Sequence, residues 1–465
     1  MPLILVPHGI TTTSATIWCG VFGRTDRPPS GHITSDGQVW ELPAGSWRVI
    51  DADGYLEPSA RTVWVQTVTL SGLQPGRSYP ITGTVGRLRA ACRTSTAPTQ
   101  LPRDPDQPYV VWLGSCFAWY QDQAGLAGLN TINLSHAAKP AVKILCGDQV
   151  YLDNPWNEVL PRGAAGLAGR LLGKYRSTWT QGDGQAGFSR LLAEGATYFL
   201  ADDHEFWNNH PNWSPLLATR SASQRRDWAI IASALYRSFQ STPGVALTKG
   251  KTLSIGPLDF FFADTRFGRE EGSDRFMTEA AVTELTAWLA SGPADQPAAL
   301  VIGAPLFTEA AGWFSAKFAD RSLANYRQYA PLAEAVLRSR RAVVILAGDI
   351  HCGRLATARL AGGMPLIEII SSPLALVDRS VGGTFHPAPQ RFPEQPTGSP
   401  RLSVATAPWV PPDGGPVEPH FVTLAFTETD QAVRLRATAW AIAQSTPHHP
   451  IERGTAQLTL PRRAA

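Results

Sequence analysis

Short apolar runs, each followed at once by polar or small residues, recur through this 465-residue chain after residue 108. Residues 142–146 read Val-Lys-Ile-Leu-Cys, and the glycine turn and polar cluster of residues 147–153 follow directly. Longer segments with helical spacing, such as 223–240 and 277–290, separate several of the runs. Alternating strands and helices are typical of an α/β domain with a mainly parallel sheet. We therefore predict strands at 109–113, 142–146, 197–201, 258–263, 299–303, 343–347 and 365–370.

The first 102 residues have a different pattern, with β-prone segments between turns that contain Gly and Pro. Residues 11–18 and 61–70 are rich in Thr, Val and Trp, and the second segment alternates with the two-residue period of a half-buried strand. We predict a small all-β sandwich over residues 1–102 and a larger α/β domain over residues 103–465. A β-hairpin at 420–442 is expected to close the second domain.

Composition and charge exclude several classes of protein. The net charge is only +3 and no Lys/Arg block occurs, so no nucleic-acid-binding surface is expected. No apolar run approaches the length of a membrane span, and the N-terminus lacks the features of a signal peptide. This predicts a protein that stays in the cytoplasm, or one exported by a signal that is not part of this sequence. An odd number of widely spaced cysteines without a CxxC pair predicts neither a disulfide framework nor a structural zinc site: Cys19, Cys92, Cys116, Cys146 and Cys352. Nothing in the sequence indicates the oligomeric state.

Carboxylate, imidazole, thiol and phenol groups follow the predicted strands. Because parallel strands share one carboxyl-end edge, these groups should meet at that edge. Clustered acids repel one another unless cations neutralise them, so the pattern predicts more than one bound metal ion. Asp148, on its glycine turn, is a natural bridge between two ions. The other candidates follow the same strand or one of three others: Cys116, Tyr151, Asp203, Asn208, Asp349 and His351.

The donor types narrow the choice of metal. Oxygen and nitrogen donors suit a two-metal hydrolytic site, in which a pair of ions roughly 3.5–4 Å apart supports in-line attack of hydroxide on phosphorus. A thiolate and a phenolate, from Cys116 and Tyr151, favour a harder or redox-capable ion such as iron. Arg266 is a candidate bidentate donor to a substrate phosphate, and a structural salt bridge is an equally good interpretation of it.

Five motifs occur in a fixed order at the strand ends: GSC at 114–116, GDQVYLD at 147–153, DDHEFWNN at 202–209, DTR at 264–266 and GDIH at 348–351. In this order they resemble the PhoD-like alkaline phosphatase D family of metallophosphoesterases. The segments SATIW and VTLSGLQPGRSY of the first domain resemble a fibronectin type III domain, which is usual at the front of that family.

The resemblance implies an αββα sandwich, hydrolysis of phosphomonoesters or phosphodiesters, and a centre of iron (Fe³⁺) and calcium, with manganese or zinc as alternatives. Cys116, Asp148 and Tyr151 would bind the iron-like ion. Asp203 would take the ligand place of the DDHEFWNN motif, with Asn208 as its competitor, and Asp349 and His351 would complete the centre. His204 would be the general acid that protonates the leaving group, or a group that orients a ligand.

Two other functions remain open. A purple acid phosphatase also joins a fibronectin-like domain to a GDxxY motif, but it expects GHxH where this chain has residues 348–351, and Asp-x-Gly where this chain has Cys116. An inactive hydrolase fold that serves as a binding module is the third candidate. Three tryptophans are candidates for lining the substrate mouth: Trp156, Trp207 and Trp213.

Overall fold

The computed structural model describes residues 2–57, 62–155, 157–184, 186–241, 246–313, 316, 320–375, 385–394, 398–410 and 417–462. Its first part consists of two four-stranded antiparallel sheets with the orders β1-β2-β6-β5 and β4-β3-β7-β8. This confirms the predicted all-β front domain. The strands are β1 Leu3–Ile10, β2 Ser14–Phe22, β3 Gly31–Ser35, β4 Gln38–Leu42, β5 Arg48–Val49, β6 Val63–Ser71, β7 Ser78–Val85 and β8 Leu88–Ser95.

A six-stranded mixed sheet follows, with the order β11-β10-β9-β21-β22-β23. Its first three strands are parallel, and the last three, which include the predicted closing hairpin, are antiparallel. Three of the apolar runs predicted as strands, 109–113, 142–146 and 197–201, therefore form the parallel half. The strands are β9 Tyr109–Gly114, β10 Val142–Cys146, β11 Ala196–Leu200, β21 His420–Glu428, β22 Ala432–Ala441 and β23 Ile451–Pro461.

The second sheet of the α/β domain has seven strands in the order β12-β13-β14-β15-β17-β16-β20. Strands β13, β14, β15 and β17 run parallel, so their carboxyl ends share one edge. A small ribbon, β18 Arg391–Phe392 with β19 Leu402–Ser403, forms a separate two-stranded sheet. The strands are β12 Lys251–Ile255, β13 Leu258–Phe262, β14 Ala298–Val301, β15 Val343–Ala347, β16 Gly353–Arg359, β17 Pro365–Ile370 and β20 Ala405–Val410.

The two sheets pack face to face because residues along each strand alternate between two cores. Val111 and Ile144 belong to the core that also contains Phe260 and Val344 of the other sheet. Trp112, next to Val111, points the other way into the core under the helices.

Helices cover both outer faces. Those on the six-stranded sheet and those on the seven-stranded sheet belong to separate apolar cores, which completes an αββα sandwich. Ser221 and Thr278 cap two of the helices, as N-terminal side-chain acceptors do. The part of the chain that the structure describes contains no helix long and apolar enough to cross a membrane. The helices are α1 Leu126–Ile132, α2 Ala164–Trp179, α3 Gly187–Leu192, α4 Ala222–Phe239, α5 Glu279–Ser291 and α6 Tyr329–Leu337.

Candidate metal centre

The loops after the parallel strands of both sheets meet at one end of the sandwich. The amide N–H of Cys116, after β9, donates to the carbonyl of Gly147, after β10, at 3.2 Å. Gly348, after β15 of the other sheet, lies so close to Ser115 that a Cβ atom at this position would overlap the Ser115 hydroxyl. Close contact between the two sheets at this edge therefore requires glycine in the GDIH motif.

Two groups of side chains there could each hold a cation, and Asp148 belongs to both. Ligand atoms of Asp148, Asp203 and His204 lie within 4.8 Å of one another, and so do those of Asp148, Asp202 and Asp349. Asp148 and Asp202 are almost completely buried, at 1% and 0% exposure. The geometry suits a bridging carboxylate between two ions, the place predicted for Asp148.

The electrostatics of these carboxylates call for cations. Burial, with the nearby Cys116, raises the pKa of Asp148 well above its usual range. Burial and the neighbouring acids do the same to the pKa of Asp349, and they raise the pKa of Asp203 to about 6. Carboxylates this reluctant to ionise gain most from a bound cation, which favours their charged form.

Thiol, phenol and imidazole donors form a series of contacts that begins at Asp148: Cys116 contacts Asp148 and Tyr151, and Tyr151 contacts His351. The Cys116 sulfur is 3.4 Å from Asp148 Oδ2, and the Tyr151 hydroxyl is 3.4 Å from His351 Nε2. Burial raises the pKa of Cys116 to about 12 and lowers that of His351 to about 4. His351 is thus neutral, which is the form of imidazole that binds metals, whereas the thiol and phenol must lose protons to a strongly polarising ion.

The backbone is strained at the predicted ligands. Cys116, Asp148, Asp349 and His351 have φ angles of 56°, 59°, 74° and 49°. This left-handed region costs a non-glycine residue roughly 1–2 kcal/mol. Residues held there cluster at functional sites, where the surrounding structure enforces them. The strain therefore falls at four of the seven predicted ligand positions.

Glu205, which the sequence interpretation missed, connects two of these loops by hydrogen bonds. Its fully buried carboxylate accepts backbone N–H groups from Asp148 at 2.9 Å, Gln149 at 2.6 Å, Val150 at 3.2 Å and Asp202 at 2.9 Å. The first three belong to the loop after β10 and the fourth to the loop after β11. Backbone donors carry no sequence signal, so only the motif position of Glu205 could have suggested this role.

His204 is oriented by Asp153. Its Nδ1 lies 2.8 Å from Asp153 Oδ1, while Asp153 Oδ2 accepts the Asn208 N–H at 2.6 Å. The His204 ring packs against Tyr151 with 4.3 Å between centroids. Burial opposes charge on His204, but the surrounding carboxylates, Asp153 first, raise its pKa well above the usual value. A protonated imidazole at this position suits a general acid.

One predicted site residue has contacts that favour another role. Arg266 is fully buried, and its guanidinium donates to Asp202, to Asp320 and to the carbonyl of His210. These contacts favour the salt-bridge interpretation of Arg266 over contact with a substrate phosphate. Asn208 meets the site through its backbone N–H to Asp153.

Among the described residues, Asp202 lies in one candidate metal-binding group and the predicted Asp203 lies in the other. Adjacent aspartates thus join different groups around Asp148.

The three tryptophans predicted to line the substrate mouth differ in exposure. Trp207 is only 3% exposed and Trp213 is 37% exposed, whereas Trp156 lies outside the described residues.

Cys116→Ser and Tyr151→Phe are each expected to reduce bound iron and to change any visible absorption that the iron produces. Serine is a far weaker ligand to iron than a thiolate, and phenylalanine offers no ligand atom. Cys146→Ser is the matched control, because Cys146 is an equally buried cysteine within β10. Metal content per folded protein checks the prediction, and unchanged iron in both variants would remove these residues from the ligand set.

Comparison with known proteins supports the fold. No protein-family model and no curated protein matched the sequence. Among solved structures, the chain is similar to PhoD, with 14% identity and a TM-score of 0.63 over 98% of this chain and 88% of PhoD. It is also similar to the purple acid phosphatase PPD1 from yellow lupin (Lupinus luteus) seeds, with 12% identity and a TM-score of 0.57 over 98% of this chain and 74% of that one.

These likenesses define the class of fold. The chain has an αββα sandwich with a β-domain in front, as predicted, and this fold is similar to those of PhoD and the purple acid phosphatase. The structural likeness to PhoD agrees with the resemblance in the five strand-end motifs.

Proposed function

We propose that this protein is a metal-dependent hydrolase of phosphate monoesters or diesters. The observation that carries the proposal is Asp148, shared between two groups of ligand atoms in a fold similar to that of two phosphatases. Bound cations would supply Lewis acidity to the phosphate and lower the pKa of the attacking water.

The donor set divides between two ions. Cys116, Tyr151 and His351 with Asp148 suit iron (Fe³⁺), which accepts thiolate and phenolate. Asp148 with Asp203, and by motif Asn208, suits calcium, and manganese or zinc would also accept this set. Asp349 and the newly found Asp202 form the other group with Asp148 and would complete the first ion.

The protein's own groups would handle the proton of the leaving group. If Nδ1 of His204 donates to Asp153, Nε2 is left to protonate the departing alkoxide. Arg266 is assigned an indirect role: it holds Asp202 through a buried ion pair.

Metal removal and an ester panel test the proposal. Chelation should abolish hydrolysis of monoesters and diesters and lower the melting temperature, since a bound ligand at about 100 times its Kd stabilises by about 2.7 kcal/mol. Adding iron with calcium should restore the hydrolysis and the melting temperature. Manganese and zinc are added in separate samples for comparison. A purified chain that binds none of these metals would refute the proposal and leave the binding-module alternative.

The purple acid phosphatase alternative rests on the likeness to PPD1. Against it, Cys116 lies where that family expects Asp-x-Gly, and Asp349 lies where it expects the first His of GHxH. Metal analysis separates the two: iron with calcium supports the PhoD-like centre, and iron with a second transition metal supports the alternative.

Asp153→Asn is expected to slow hydrolysis of alkyl phosphates much more than that of nitrophenyl phosphate. General acid catalysis contributes about 10²–10⁴-fold, and a good leaving group does not need it. The amide would favour the wrong His204 tautomer or orientation. Steady-state kinetics on the two esters, with metal content as the control, check this. Equal slowing of both esters would argue against an acid role for His204.

A further inference from the structure

A short segment after β17, outside the five sequence motifs, lies beside the candidate metal centre. The backbone N–H of Leu374 donates to the carbonyl of Ser115 at 2.8 Å. The backbone N–H of Ala375 likewise donates to the carbonyl of Cys116 at 3.1 Å. The segment therefore connects the seven-stranded sheet to the loop after β9 of the other sheet. Ser372, two residues before Leu374, is fully buried at this junction.

The hydroxyl group of Ser372 contacts two of the proposed iron ligands. It accepts the backbone N–H of His351 at 3.0 Å and donates to the sulfur of Cys116 at 3.1 Å. A hydroxyl can do both at once, because its lone pairs accept while its single hydrogen is donated. Cys116 follows a strand of one sheet and His351 follows a strand of the other, so Ser372 connects a proposed ligand from each sheet.

Ser115 is the competing donor to the same sulfur. Its hydroxyl lies 3.5 Å from the Cys116 sulfur but only 2.9 Å from the carbonyl oxygen of Ser371, to which it donates. A hydroxyl has one hydrogen to donate, and here the carbonyl oxygen is the nearer and stronger acceptor. The hydrogen bond to the sulfur therefore belongs to Ser372.

From these contacts we infer that Ser372 is a positioning residue for the proposed iron-binding thiolate. Its hydroxyl holds the sulfur of Cys116 and the backbone of His351 in fixed positions. A hydrogen bond to a thiolate also withdraws electron density from the sulfur, so the bound ion keeps more of its positive charge. That charge is what polarises a phosphate ester and the attacking water. The inference rests on the proposed function, because it requires iron at Cys116.

Spectroscopy of the full chain, reconstituted with iron and calcium, tests the inference. In Ser372→Ala the sulfur should donate more electron density to the iron. The sulfur-to-iron absorption band should therefore move to longer wavelength, and the reduction potential of the iron should fall. Hydrolysis should slow by about 10–100-fold at equal iron content, the usual cost of changing a group that supports a ligand. A role in folding alone would move neither the band nor the potential.

Two neighbouring serines provide matched controls. Ser371 is equally buried, and its hydroxyl has no hydrogen-bond partner in the part of the chain that the structure describes. Ser371→Ala should therefore leave the band and the potential unchanged. Ser115→Ala removes the hydrogen bond to the Ser371 carbonyl, so it should lower the melting temperature but leave the band in place. A band that moves in Ser115→Ala and stays in Ser372→Ala would overturn the assignment.

The wild-type chain supplies a measurement that needs no variant. The iron–sulfur stretching frequency, measured by resonance Raman spectroscopy, should differ between chain reconstituted in H₂O and chain reconstituted in D₂O. The difference arises because the hydroxyl that donates to the sulfur then carries deuterium. Equal frequencies in the two solvents would overturn the hydrogen bond to the thiolate.

The results separate Ser372 from the proposed activity. Ester hydrolysis without a sulfur-to-iron band, or a band and potential that Ser372→Ala does not change, would overturn the role of the serine and leave the hydrolase proposal in place. The expected shifts of band and potential in a chain that hydrolyses no ester would support the role of Ser372 at the iron and refute the proposed function.

Discussion

Asp148→Asn should abolish metal binding and ester hydrolysis together. The substitution keeps the volume of the side chain but removes the charge that both ligand groups share. Mutating a group that only supports a metal ligand lowers metal affinity by about 10–100-fold. Loss of a ligand shared by two ions should therefore lower metal affinity by more than about 100-fold. Metal analysis and titration of each cation check this, and a fully active, metal-loaded variant would refute the bridging role.

In the metal-free protein, by contrast, the same substitution should not lower the stability of the fold. The folded-state pKa of Asp148 is raised, so its ionisation destabilises the metal-free fold as pH rises above the unfolded value of about 4. Asp203 adds to this loss between about pH 4 and its raised pKa of about 6. At pH 7, metal-free Asp148→Asn should therefore be at least as stable as the metal-free wild type, although it cannot gain stability from cations.

A matched control isolates the metal effect. Asp122 is also buried, at 6% exposure, and burial raises its pKa to about 6. It accepts the N–H of Ala127 at 2.9 Å and belongs to neither ligand group. Asp122→Asn should keep wild-type metal content, because its remaining carbonyl oxygen can still accept this bond. Loss of metal in both variants would point to a general effect of removing buried acids.

The strands and the edge that carries the site could be predicted from the sequence, because apolar runs and the polar residues after them are local signals. The place of Asp202 among the candidate ligands, beside the predicted Asp203, could not. Neighbouring side chains diverge according to backbone angles, here those of a short 3-10 turn at Asp203–Glu205. The sequence also left two roles open for Arg266. Its burial against Asp202, 64 residues away, is a tertiary contact without a local pattern.

Glu205→Gln is the second substitution with a large expected effect. Oε1 accepts from Gln149 and Val150, and Oε2 accepts from Asp148 and Asp202. A glutamine amide has one oxygen, so its NH₂ group would face two backbone donors whichever way it turned. Buried donors left without an acceptor cost about 1–3 kcal/mol each, so we expect a loss of about 3 kcal/mol in the free energy of unfolding.

Metal affinity should fall with stability in this variant, by about 10–100-fold, because the loop that carries Asp148 and the one that carries Asp202 lose their common anchor. Glu368→Gln is the control: Glu368 is equally buried, accepts the N–H groups of Leu306 and Phe307, both at 2.8 Å, and pairs with Arg354. Breaking that pair should cost about 3–5 kcal/mol without reaching the ligands.

Denaturant unfolding and cation titration of both variants distinguish a local anchor from general stability. If Glu368→Gln is destabilised yet binds cations like the wild type, while Glu205→Gln does not, the position of the two loops determines metal affinity. If both variants lose affinity in proportion to stability, Glu205 has no special connection with the centre. Hydrogen exchange adds a readout that needs no metal: the amides of residues 148–150 should exchange faster in Glu205→Gln alone, because their shared acceptor is the group that was changed.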